Sequence, residues 1–170
     1  MPPNADVALT QDQALAELRE AGALLTGHFI LSSARRSGVY VQCARAMMDP
    51  ARGERLCAAL AAHLRAKLGD ALDEVDLCVA PAMGGVIVGY ELARALGRPS
   101  VFMERPKGAS VGFELRRGFE ISQGARCLMV EDVVTTGLSS RECIAAITAA
   151  GGRVVAAASL VDRSGGTAEL

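Results

Sequence analysis

Apolar positions along this chain change their spacing several times, and each change marks an element. Near the start, Leu15, Leu18, Ala21 and Leu25 fall at steps that keep one face of a helix apolar, and Thr10 with Gln13 supplies a capping-box start. Leu56, Leu60, Leu64 and Leu68 then recur every four residues between Asp49-Pro50, an N-cap and N1 pair, and Gly69. That spacing predicts a second helix with a core stripe. Between them, Gly27 to Gln42 mixes strand-forming residues with a polar turn and reads as two short extended segments around Ser32 to Gly38. Beyond Gly69 the helical period gives way to short apolar runs: Val75 to Ala80, Ser100 to Glu104, Arg126 to Glu131 and Arg153 to Val161. These read as strands, the run Leu128-Met129-Val130 as one buried on both faces. A helix from Val86 to Leu96, closed by Gly97, and an apolar helical stretch from Ile144 to Ala150 separate them. This alternation of strand and helix predicts a parallel sheet with right-handed crossovers and helices on both faces. One charged, glycine-rich segment, Arg105 to Phe119, breaks it.

Composition narrows the class. At 170 residues the chain is expected to be one domain, 1–170, and with 51% hydrophobic residues it has ample material for a core. The formal charge of −1, with both signs interspersed, excludes a strongly basic nucleic-acid footprint. Five scattered cysteines (Cys43, Cys57, Cys78, Cys127, Cys143) without CxxC spacing argue against a disulfide framework or a structural zinc site and point to a reducing cytoplasm. The first residues carry no basic region followed by an apolar run, and no stretch is long enough to span a bilayer, so no membrane partner is expected. His63 has no partner histidine at ligand spacing and reads as a helix-surface or satisfied histidine.

The chemistry concentrates in Arg126 to Ser140, RCLMVEDVVTTGLSS. The apolar run is read as ending at Glu131 and Asp132, two carboxylates outside the core that face the crevice at the carboxyl end of a buried strand, where open α/β sheets bind ligands. Thr135-Thr136-Gly137-Leu138-Ser139 follows as a turn of small hydroxyl residues around a glycine, leading into a helix. Free N–H groups there, with the positive end of the helix, suit an anion. One ligand bearing hydroxyls for the acids and a phosphate for the turn satisfies both halves, and a ribose 5-phosphate fits. The alternative is a solvated strand end followed by an ordinary helix cap.

VEDVVTTGLSS resembles the phosphoribosyl-pyrophosphate (PRPP) motif of the type I phosphoribosyltransferases. The resemblance implies a central parallel sheet with helices on both faces and a small N-terminal hood, here about residues 1–45. It also implies a PRPP site made of Glu131, Asp132, Val133, Val134, Thr135, Thr136, Gly137, Leu138 and Ser139, with Asp132 and Glu131 catalytic. Pro81-Ala82-Met83-Gly84-Gly85, a plain tight turn by composition, then looks like the family's pyrophosphate loop, with Gly84 standing where the orotate branch often has lysine.

Gly27 to Ser37 resembles the element that folds over the base in orotate phosphoribosyltransferases, with Ser32 in place of the usual lysine and Ala34 in place of the usual glycine. An edge hairpin with a polar tip is the plainer reading. In Leu160-Val161-Asp162-Arg163, an arginine just past a buried strand can clamp a carboxylate, and by resemblance Arg163, with Thr135, contacts orotate. A surface pair of Arg163 with Asp162 is the alternative. Within Glu104 to Arg117 the resemblance aligns Arg105 with PRPP binding and Lys107 with a catalytic role, while Arg116 and Arg117 suit a solvated hairpin equally well. Magnesium carried by PRPP oxygens, a homodimer, and transfer of the phosphoribosyl group to orotate complete the implied picture, with a phosphoribosyltransferase for another base or a PRPP-sensing regulator as alternatives. Family members generally continue beyond the V-D-R segment, so a shortened member or a fragment is expected.

Overall fold

The computed structural model describes residues 9–30 and 36–168. Ser32, Ser33, Ala34 and Arg35 of the base-covering segment, together with the extreme termini, lie outside the described residues. Helix α1 spans Gln11–Glu20 and opens with the capping box: Thr10 Oγ1 accepts from the Gln13 N–H, and Gln13 Oε1 accepts from the Thr10 N–H at 2.8 Å. It stops a turn short of Leu25. Gly22 takes a left-handed φ of 61°, the Gly22 N–H donates to the Arg19 carbonyl and the Ala23 N–H to the Leu18 carbonyl, so the chain is turned out of the helix. Leu25 therefore belongs to strand β1 (Leu24–Ile30), which pairs antiparallel with β2 (Arg36–Val41). β2 begins at Arg36, so Ser37 and Gly38 are strand residues rather than part of the polar turn.

A short α2 (Cys43–Met47) leads to α3 (Pro50–Leu68), where Asp49 Oδ1 accepts from the Ala51 N–H and Pro50 stands in the first turn. The remaining elements are β3 (Leu77–Pro81), α4 (Gly85–Leu96), β4 (Ser100–Glu104), β5 (Glu114–Leu115), β6 (Arg126–Val134), α5 (Leu138–Ala149) and β7 (Arg153–Asp162). They build a sheet of order β5-β4-β3-β6-β7 in which β4, β3, β6 and β7 run parallel and only the two-residue β5 is antiparallel. The third strand starts at Leu77, and just before it the Asp76 N–H donates to the Arg126 carbonyl at the start of β6.

The two-residue alternation of β6 divides the core. Leu128 and Val130 face a cluster with Leu64 of α3 and Val88 and Leu92 of α4, whereas Cys127 and Met129 face Cys143 and Ile147 of α5 with Phe113 and Ile121. Both faces of the sheet are covered, as a parallel sheet requires. Full burial of residues such as Leu92 and Ile147 contributes about 2 kcal/mol each. Gly89 sets the approach of α4: a Cβ there would stand 2.7 Å from the Ala80 Cβ of β3.

Candidate active site

β6 does not end at the acids. It continues through Val133, opposite Val161, and Val134, opposite Asp162, because β7 is long enough to pair with it there. The alternation that splits the core starts the two acids from opposite faces of the strand, yet their carboxyl groups stay close enough to interact with each other. Glu131 turns toward α5, where the Ser140 hydroxyl donates to its Oε2 at 3.1 Å, and Asp132 turns toward the foot of α4, against Gly84. Glu131 is only 6% exposed, so it belongs to the rim of the core and is not the exposed acid the sequence suggests; Asp132 is half-buried. Burial, reinforced by the Asp132 charge and opposed by the hydroxyls of Ser140 and Ser139, pushes the Glu131 carboxyl up to about 7. Burial also raises Asp132, against hydrogen bonds from the backbone. The Cys43 thiol of α2 reaches the Asp132 carbonyl at 3.8 Å.

Val134 is buried, and its carbonyl accepts from the Arg163 N–H at 2.8 Å. Thr135 and Thr136 form the turn, Gly137 takes a left-handed φ of 74° at the N-cap, and α5 starts at Leu138, six residues ahead of the apolar stretch at Ile144. With glycine as the cap, no side chain closes that end of the helix. The Leu138 N–H reaches Thr136 Oγ1 at 3.4 Å, and the first-turn N–H groups beyond it have no intrahelical acceptor. The result is a cradle of donors at the positive end of a helix, open beside two carboxylates.

The Pro81-to-Gly85 loop, with a cis bond between Ala82 and Met83, lies alongside. A Cβ on Gly84 would run into the Asp132 carboxylate, and one on Gly85 would stand 3.2 Å from the Val130 carbonyl. Both glycines let this loop close on the end of β6.

The other basic residues are placed differently from one another. Arg163 sits just past β7, half-buried, and among the described residues pairs neither with Asp162 nor with another acid: its Nη2 donates to Ser37 Oγ at 2.8 Å and to the Val39 carbonyl at 2.7 Å, tying β2 to the site. Asp162 instead accepts from the Ser164 N–H. Arg105 pairs with Glu142 of α5 at 2.8 Å and lies 4.5 Å from the Phe113 ring centroid, turned to α5 rather than held in the open. Lys107 is exposed. Arg117 makes a two-point pair with Glu104 at 2.7 and 2.9 Å, and Arg116 lies 3.7 Å from Glu114.

Among the described residues no group of three or more His, Cys, Asp or Glu side chains is placed to hold a metal ion. The carboxylate and hydroxyl oxygens of the site are donors of the kind a hard cation prefers. No helix among the described residues is long and apolar enough to cross a membrane.

Ser140, Glu142 and Ser37 were not singled out by sequence reasoning. Ser140 carried a usable signal: it heads the inward stripe Ser140, Cys143, Ile147, so a hydroxyl there is forced to meet a buried partner. Glu142 and Ser37 carried none, since their partners are 37 and 126 residues away.

A doubly covered parallel sheet with an acid pair near the carboxyl end of one central strand and a donor cradle just beyond it defines a type I phosphoribosyltransferase fold. Residues 49–170 match the model of the phosphoribosyl transferase domain. Over 159 residues the chain is 62% identical to orotate phosphoribosyltransferase of Sphingopyxis alaskensis, covering 94% of this chain and 78% of that one, and it is 56% identical over 162 residues to the Erythrobacter litoralis protein of the same name, covering 95% and 81%. Among solved structures, orotate phosphoribosyltransferase from Aeropyrum pernix superposes with a TM-score of 0.69 at 30% identity, over 88% of this chain and 81% of that chain. The chain belongs to the phosphoribosyltransferase family, and within it to the orotate phosphoribosyltransferases, a family of transferases.

Proposed function

We propose that this chain transfers the phosphoribosyl group of PRPP to orotate, giving orotidine 5′-monophosphate and pyrophosphate in pyrimidine biosynthesis. The observation that carries the reading is the acid pair beside an uncapped helix start, in a chain 62% identical to a curated orotate phosphoribosyltransferase. The 5-phosphate sits on the N–H groups and hydroxyls of Thr135 to Ser139, with the preceding Val133 and Val134 fixing the backbone that leads there. The ribose hydroxyls donate to the carboxylates of Asp132 and Glu131. Gly84 lets the pyrophosphate approach the backbone of its loop. Arg163 has N–H groups beyond those used on Ser37 and Val39, and with Thr135 it receives orotate; its hold on β2 links base binding to the hairpin.

In the reaction the C1–O bond breaks with its electron pair leaving on pyrophosphate, while the lone pair of the orotate ring nitrogen forms the C1–N bond and its proton passes to solvent. Positive charge grows on the ribose ring in between, and the ionised acids steady it. Magnesium, when carried on the PRPP oxygens, supplies the neutralising charge for the leaving group. Lys107, exposed on its loop, is the base that reaches the pyrophosphate, and Arg105 joins it on leaving Glu142. The exposed apolar side chains of Met83, Ile87 and Tyr90 beside the site support a homodimer, and five free buried thiols fit a reducing cytoplasm.

Purified protein supplied with PRPP, magnesium and separate bases tests the assignment by pyrophosphate release. Release with orotate alone is the expected result. Release with a purine or uracil instead, or PRPP binding without release, would replace the reading by another transferase or by a sensor.

A further inference from the structure

Ser140 lies one residue beyond the phosphate turn and takes no part in the reading above. It is 1% exposed, heads the inward face of α5, and directs its hydroxyl at the carboxylate of Glu131. Resting on the assignment of Glu131 as an acceptor for the sugar, we propose that Ser140 is a positioning residue: its hydroxyl takes Oε2 of Glu131 and leaves Oε1 turned to a ribose hydroxyl as an ionised acceptor.

Glu131 needs such a partner. Its side chain has three rotatable bonds and enters a largely apolar space, where the groups facing it are Asp132 of its own strand, Ser139, Ser140 and Cys143 of α5, and, across the ladder, Ser159 of β7. The Cys143 thiol is pushed up to about 12 by burial and remains neutral. Asp132 disfavours a second negative charge at Glu131, while the serine hydroxyls favour it. A Glu131 that kept its proton would offer the sugar a donor at one oxygen and would be free to rotate. The Ser140 hydroxyl opposes both changes, since donation to the charged form is stronger than to the neutral one.

The decisive measurement is the titration of Glu131 by carbon NMR of carboxyl-labelled glutamate, with the signal assigned by its loss in Glu131→Gln. In Ser140→Ala the midpoint is expected to rise by roughly one pH unit, whereas Ser140→Thr, which restores a hydroxyl, returns it toward about 7. The KM for PRPP is expected to rise about fivefold at pH 7 in Ser140→Ala and to converge with the parent protein above roughly pH 9, with kcat there unchanged. Thr148→Ala removes another α5 hydroxyl, bonded to the Ile144 carbonyl, and is expected to leave both readouts alone. An unmoved Glu131 midpoint in Ser140→Ala would overturn the proposal, as would a loss of activity equal at every pH. The titration needs no turnover, so it decides the role of Ser140 even if orotate proves not to be the acceptor.

Discussion

Replacing Glu131 with glutamine should make the unliganded protein more stable, and increasingly so as the pH rises. Glu131 ionises near its ordinary value of 4.5 in the unfolded chain but only at about 7 in the folded one, chiefly because it is buried. Between those values the folded state holds more protons than the unfolded state, so stability falls as the pH climbs. The favourable contribution is fully present below pH 4.5 and lost by the time the pH has passed through 7. At about 1.4 kcal/mol per pH unit the difference corresponds to about 3 kcal/mol, an upper figure because Asp132 adjusts its own ionisation in response. Glutamine keeps an oxygen for the Ser140 hydroxyl and carries no charge to bury. Urea unfolding of the parent and Glu131→Gln at pH 5, 6, 7 and 8 is the assay. The stability gap should widen steadily in favour of the variant across that series, by ~2–3 kcal/mol in all, while its transfer activity drops. A gap that stays constant with pH, or that narrows, would refute the placement of a raised, buried carboxyl at this position.

Three further substitutions test the surroundings of the acid pair. Gly84→Ala puts a Cβ where the Asp132 carboxylate lies, so steady-state kinetics should show a loss in kcat/KM of at least about tenfold, while denaturation shifts by less than ~0.5 kcal/mol because the loop is exposed. Gly89→Ala gains helix propensity but forces the Ala80 Cβ of a fully buried strand aside; calorimetry should register a net destabilisation of about 1 kcal/mol or more. Arg163→Ala should raise the orotate KM by at least about tenfold with the PRPP KM nearly unchanged, and hydrogen exchange of β2 should quicken because the bonds to Ser37 and Val39 are gone. An unchanged orotate KM would take Arg163 out of the base site.

The sheet was legible because its strands are short apolar runs: Ser100–Glu104 matches to the residue, and the α3 stripe ends where Gly69 follows Leu68. Ends governed by partners were not. β6 looked finished at Glu131 because the sequence turns polar there, yet strand length is set by the ladder to β7, which continues to Asp162. The same effect hid the different neighbours of the two acids: adjacent residues on a strand leave opposite faces, but only if the strand persists, and its persistence is a tertiary fact. α1 was overextended to Leu25 because its apolar spacing runs on smoothly through Gly22, whose positive φ turns the chain at that point. Arg105, Arg117 and Arg163 show a further limit. Each has its guanidinium on a partner at least seven residues away, and nothing in the local sequence signals a two-point pair such as Arg117 with Glu104.

The central claim is that a sugar's hydroxyls and its 5-phosphate bind together at the junction of β6 and α5. A crystal structure with PRPP bound tests it most directly. The phosphate is expected within hydrogen-bond reach of the N–H groups of Gly137 to Ser139, and the ribose hydroxyls on Asp132 and Glu131 Oε1 with Ser140 still on Oε2. A phosphate bound elsewhere, with the α5 start empty and the Asp132 carboxylate turned away from the sugar, would contradict it.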